Sequence, residues 1–282
     1  MSFSEFRADK AGVSQTAKVD QPPNAPASTA FQNRTDLLSG IAIEYGPRDL
    51  LAQFFVEADH ACRARGVQLV FSTLEDLLEV NEQNSNTWLP IVPLFNPKNG
   101  IDPATSYCIL GLDPSGRVVA TQAVRLYEWS STSFAEQAAN MGVFYADPAR
   151  QALPGEACVV TAPSADQVRG RVAYSGGVWY HPDYRKRGLT GFMPRIARAF
   201  ALARWSTDMT MTLMAEGIVK SGVAQRVGYE NVEWEARFLN NALEGPRFAL
   251  LWMDTDHLIR DLDRHLSANA AQIDGLIQYG AA

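Results

Sequence analysis

Beyond residue 170, apolar runs and helical periods alternate along the chain, and this alternation most restricts the fold. Residues 172–180 read as a strand. Residues 189–205 then put Leu189, Phe192, Met193, Ile196, Ala197, Phe200 and Ala203 on one helical face. A strand at 209–214, a short helix at 218–227, strands at 232–239 and 248–253 and a last helix at 256–266 complete the series. Such an order commits the chain to a mixed α/β sheet flanked by helices.

Upstream, Leu50, Leu51, Phe54, Phe55, Ala58, Cys62 and Arg65 recur at helical spacing until Gly66 stops the helix. Residues 67–71 read as a strand, and Ser72 or Thr73 caps a helix with Glu75 and Asp76 in its first turn. The stretch 88–103 holds four prolines and reads as a loop. A hairpin follows, with strands at 107–112 and 118–127 around Asp113-Pro114-Ser115-Gly116. Residues 130–168 look like an irregular insertion with one helix over 134–141. Residues 1–45 are polar and proline-bearing (QPPNAPASTAFQN) and are expected to be a disordered leader. The rest, 46–282, is expected to be a single domain.

Hydrophobic residues make up 46% of the 282, enough for a sizeable core. A net charge of −6 argues against a general nucleic-acid surface, which needs clustered cations. Cys62, Cys108 and Cys158 have neither metal-ligand nor redox spacing; Cys62 and Cys108 read as buried, inert thiols. MSFSEFRADKAGVSQ lacks an apolar signal core, and no apolar run approaches the roughly 20 residues that span a bilayer. The expectation is a cytoplasmic protein with no membrane, nucleic-acid or metal partner.

Chemistry concentrates in Val178-Trp179-Tyr180-His181-Pro182-Asp183-Tyr184-Arg185-Lys186-Arg187-Gly188-Leu189-Thr190-Gly191. A strand ends in a proline turn, and a basic, glycine-bearing loop opens an amphipathic helix. Free N–H groups at a helix N-terminus and the helix dipole favour an anion there. Gly188 and Gly191 permit close backbone approach, Arg185, Lys186 and Arg187 add positive charge, and a pyrophosphate is the natural guest. An ordinary strand-to-helix turn with solvated charges would carry the same spacing.

This run resembles the acyl-CoA-binding motif of the GNAT N-acetyltransferase superfamily, Arg/Gln-x-x-Gly-x-Gly/Ala after a strand. Arg185 and Gly188 match it; Thr190 departs at the last position, with Gly191 immediately behind. The resemblance covers about residues 67–255, including the Gly228-Tyr229 pair after the short helix. It implies a mixed, mostly antiparallel sheet whose two central strands splay apart. It also implies acetyl-CoA or another acyl-CoA as co-substrate and direct attack by an amine of a small molecule or peptide. Amides from Lys186 to Gly191 would hold the pyrophosphate, and the strand at Val178, Trp179 and Tyr180 would line the pantetheine arm. Glu216, at the end of the central strand, is the first candidate for the base, and Tyr180 is a candidate acid. His181 reads more readily as a turn residue. The family's usual acid, a tyrosine four residues before the Gly-aromatic pair, falls on Ala224. The apolar loop 87–95 and Phe144, Tyr145 and Asp147 read either as packing or as walls of an acceptor pocket. A homodimer is compatible with the resemblance. The other readings are a silent acyl-CoA-binding or sensory module and an enzyme for longer-chain or carrier-linked donors.

Overall fold

A computed structural model describes residues 34–241 and 243–280. The chain opens with β1 (Thr35–Asp36), α1 (Leu37–Gly40), α2 (Arg48–Arg63), β2 (Gln68–Ser72) and α3 (Leu74–Gln83). Then come β3 (Ser106–Leu112), β4 (Val118–Trp129), α4 (Phe134–Ala139), α5 (Pro148–Gln151), β5 (Ala157–Val160) and β6 (Gly170–Tyr180). After α6 (Met193–Trp205) and β7 (Met209–Ala215) follow α7 (Glu216–Lys220), α8 (Val223–Arg226), β8 (Asn231–Leu239), β9 (Phe248–Asp254) and α9 (Thr255–Gly280). The strands form one sheet in the order β1-β2-β3-β4-β6-β7-β9-β8-β5. Its neighbours pair antiparallel except β6 and β7, which run parallel.

Alternating side chains divide the core in two. One face packs under α2, α6 and α9, with Phe54, Ile109, Val124, Met193, Ile196 and Leu262 in it. The other packs under α3, α4 and the 92–101 loop, with Leu77, Phe95, Leu110, Tyr174, Met211 and Leu250. All three cysteines are buried and unpaired, and burial pushes the Cys62 and Cys158 thiols up to about 12.

Several expectations change. Of the expected leader, residues 1–33 lie outside the described residues. Order is present from residue 34, within the expected leader: Leu37 is fully buried and Thr35 pairs with Phe71. The segment 130–168 is not merely an irregular insertion. It adds α5 and β5, and β5 extends the sheet beyond β8. The helix expected from Leu189 begins at Met193, after a 3-10 turn over Leu189–Gly191. Pro194 therefore sits in the first helical turn, where its missing N–H costs little. The short helix at 218–227 is two helices, α7 and α8, broken at Gly222 by a left-handed φ of 74°. The last helix runs to Gly280, well past Leu266.

Candidate acyl-CoA site

The middle of the sheet is where its pairing stops. β6 and β7 share only Val172↔Met209, Ala173↔Thr210 and Tyr174↔Met211. Beyond these, β6 runs on to Tyr180 against β4, and β7 to Ala215 against β9. Tyr174 wedges the fork, because its hydroxyl accepts from Leu213 N–H at 3.1 Å and occupies a donor the ladder would use. The phenol is fully enclosed, and burial raises its pKa.

A bulge sets β6 apart from β4 at the same level. Val124 faces Ser175 and Ala123 faces Gly176, but Thr121 faces Trp179, so Gln122 spans two residues of β6. The extra residues are Gly177 and Val178, and glycine is required at Gly177 and at the paired Gly176 before it. A Cβ on Gly176 would lie 2.7 Å from the Phe95 ring, and Gly177 has φ +60° with Ala123 2.8 Å from such a Cβ. Side chains of β4 pin the bulge: Thr121 Oγ1 donates to the Gly177 carbonyl at 2.7 Å and Gln122 Nε2 to the Gly176 carbonyl at 3.0 Å. The bulge also shifts the alternation. Tyr180 packs with the α6 face, whereas Trp179 is buried and stacks on Trp88 with 5.6 Å between ring centroids. Trp179 is thus a wall residue, while Val178 is exposed in the fork.

At the far end of β6 the chain turns through Pro182–Tyr184. His181 Nδ1 accepts from Asp183 N–H at 3.3 Å, so His181 is a turn cap. Arg185 Nε donates back to the Tyr180 carbonyl at 3.1 Å, and the Arg187 guanidinium lies 4.1 Å above the Tyr184 ring. Lys186 and Gly188 both take left-handed φ, +64° and +79°. With these alternations the N–H groups of Lys186, Arg187, Gly188, Leu189 and Thr190 have no acceptor among the described residues. Successive unspent amides in such a turn form a concave anion seat. The Leu189 side chain is core, so only its backbone faces the seat. Thr190 and Gly191 are half-buried, and a Cβ on Gly191 would meet nothing within 4 Å. Of the two glycines, only Gly188 is demanded by conformation.

Arg65 is a part of this seat that sequence reading placed only as the end of a helical stripe. Its Nε donates to the Arg187 carbonyl at 3.0 Å, its Nη1 to the Ala61 carbonyl at 2.7 Å, and it lies 4.8 Å over Phe192. A charged residue closing an apolar stripe was the available signal. Behind the seat, Arg195 Nη1 donates to the Gly191 and Arg226 carbonyls at 2.8 and 2.7 Å. Its Nε and Nη2 grip Asp261 of α9 at 2.8 and 2.9 Å, and buried Arg198 lies 3.7 Å from the same carboxylate. That carboxylate in turn packs on Gly228, which has φ +89° and no room for a Cβ.

The two candidate catalytic groups lie apart. Tyr180 is enclosed beside Thr190 at the seat, where burial raises its pKa. From the fork at Tyr174 to Tyr180 is six residues, about 20 Å of strand. Glu216 is at the end of β7, paired with Lys220 at 2.9 Å and Arg247 at 3.7 Å. Lys220 chiefly, with Arg247, holds its carboxyl below the usual range. Ala224 is fully buried, as is Tyr229. Leu94, Phe95, Phe144 and Tyr145 are packing residues, with Tyr145 donating to Glu156 at 2.9 Å. Among the described residues no cluster could hold a metal, and no helix is long and apolar enough to cross a membrane.

A parallel pair that opens into a fork, with an amide-lined basic turn leading into the next helix, is similar to the GNAT architecture implied by the sequence. The chain matches no family-level sequence profile and no curated protein sequence. Similar solved structures include mutant forms of a spermidine/spermine N-acetyltransferase from Vibrio cholerae, at 8% identity over 69% of this chain and 97% of that one, TM-score 0.43. An uncharacterised protein from Bacillus halodurans gives 9% identity over 71% and 90%, TM-score 0.43. A ribosomal-protein-S5-alanine acetyltransferase from Vibrio fischeri gives 9% over 68% and 94%, TM-score 0.39. At such identities and scores the likeness is one of outline.

Proposed function

We propose that the protein is an acyl-CoA-dependent N-acyltransferase, with acetyl-CoA the first donor to test and an amine of a small molecule or peptide as acceptor. The observation that carries this reading is the fork between β6 and β7 with the five-amide seat of Lys186–Thr190 at its far end. The seat suits a pyrophosphate, and the open strand edge suits the amide groups of a pantetheine arm. The amine attacks the thioester carbon, the C–S bond breaks, and the thiolate leaves with CoA. Burial sets the Cys62 and Cys158 thiols against an acyl-enzyme. Calorimetry is expected to show acetyl-CoA binding, and free thiol should appear with at least one amine of a panel. Absence of acetyl-CoA binding defeats the reading. Binding without turnover by any amine favours the silent module, to which Ala224 in the usual tyrosine position points.

Glu216 is five residues beyond Met211, about 16 Å along β7 from the base of the fork. In this proposal it therefore takes the amine proton through ordered water, and its two cations set the pH behaviour. A carboxyl held below its ordinary range stays ionised, and so competent as a base, to lower pH than a free glutamate. An acid limb near neutrality would then belong to the acceptor amine. Glu216→Gln should lower kcat by about tenfold or more and leave that limb where it was. An unchanged kcat removes Glu216 from the role.

A further inference from the structure

The fork contains a hydroxyl that the fold orients but does not use. Ser175 is the first residue of β6 beyond the last β6–β7 pair. It faces Val124, a core residue under α6, so its side chain is on the α6 side of the sheet, as is Ala224. Gln122 Nε2 donates to Ser175 Oγ at 3.0 Å and to the Gly176 carbonyl at 3.0 Å. The carbonyl can only accept, which fixes the amide orientation: nitrogen towards β6. Ser175 Oγ is therefore an acceptor in that bond, and its own proton has no acceptor among the described residues. Gln122 Oε1 is likewise buried without a partner, in a side chain only 1% exposed. Buried donors and acceptors are seldom left unused, since each forfeits its hydration.

We infer that Ser175, oriented by Gln122, donates a hydrogen bond to the sulfur of the acyl-CoA as the thiolate leaves. The inference rests on the acyl-CoA reading above and supplies the contact that Ala224 cannot make. Position supports it. Ser175 is five residues up β6 from Tyr180, about 16 Å by strand geometry, which is near the reach of an extended pantetheine arm from the seat. Tyr180, beside Thr190, is at the phosphate end of that arm and serves the seat. The serine does not give up its proton. Its O–H stabilises the departing negative charge, and water returns a proton to the thiolate. Gln122 is a positioning residue that turns the serine lone pair inward and its proton outward.

The test titrates the thiol of bound CoA by its thiolate absorbance, which needs no acceptor amine. Wild type should hold this thiol about one unit below its free value, roughly 8.5. Ser175→Ala should return it towards the free value and lower turnover about 10- to 100-fold, with acetyl-CoA affinity changed less than threefold. Ser175→Thr, which keeps a hydroxyl, should retain most of the shift. Gln122→Met should lose part of it, and the double variant should be no worse than Ser175→Ala, because one contact is lost once. CoA bound with an unshifted thiol in wild type, or an equal shift in Ser175→Ala, overturns the inference alone. Failure of wild type to bind CoA overturns the acyl-CoA reading and the inference together.

Discussion

Gly188→Glu is expected to abolish measurable acyl-CoA binding. The position combines two demands in one residue. At φ +79° a side chain costs on the order of 1–2 kcal/mol, and its Cβ would be 3.3 Å from Arg65 Nε. The added carboxylate would also sit among the five free amides, spending their donors and repelling the pyrophosphate. A loss of at least 100-fold, about 2.7 kcal/mol, should appear in calorimetric titration with acetyl-CoA. Gly188→Ala brings the backbone strain without the charge and should lose far less. Equal affinity in wild type and Gly188→Glu would remove the turn from the binding site.

The largest effect on stability is expected from Asp261→Ala. Arg195 and Arg198 are almost fully buried, and Asp261 is the carboxylate that faces both. Removing it leaves two guanidinium groups uncompensated in the core, a class of change that costs about 3–5 kcal/mol. For a chain of this length that is a fall in Tm of roughly 10 °C, readable by calorimetry or urea titration. Asp261→Asn keeps the shape and one acceptor and should fall between. The same variant should weaken acetyl-CoA binding, because Arg195 also holds the Gly191 carbonyl at the end of the seat. A Tm within 2 °C of wild type would show that the guanidinium groups find other partners.

Much of this was legible along the chain. The strand–helix–strand alternation gives β6, α6 and β7 within a few residues of their bounds, because both periodicities are strong there. Less legible were elements whose order comes from distant partners. Thr35 and Leu37 lie in a polar stretch and are held by Phe71 and the α2 face. β5 is four residues long and exists because β8 offers it an edge. At the site, the loop residues were legible through glycine and charge. Arg65, Gln122 and Ser175 were not, since each acts through a partner more than 50 positions away. The bulge was equally hidden: Gly176-Gly177 inside an apolar strand signals a close approach, but the register against β4 decides which residue spans it.

The fork gives the molecule an unusual mechanical plan. Five strands, β1-β2-β3-β4-β6, make one plate and four, β7-β9-β8-β5, make another. Three residue pairs and the Tyr174 hydroxyl, with Arg171 and Asp208 bonded to each other at the closed end, form the hydrogen-bonded seam between them. An ordinary sheet is weakest at its rims; this one is weakest along its midline. A guest chain with its own amide and carbonyl groups, laid in that gap, would act as an added strand that ties the plates together. On this plan a molecule held there would be a girder of the structure as well as its guest, and its departure would return the slack.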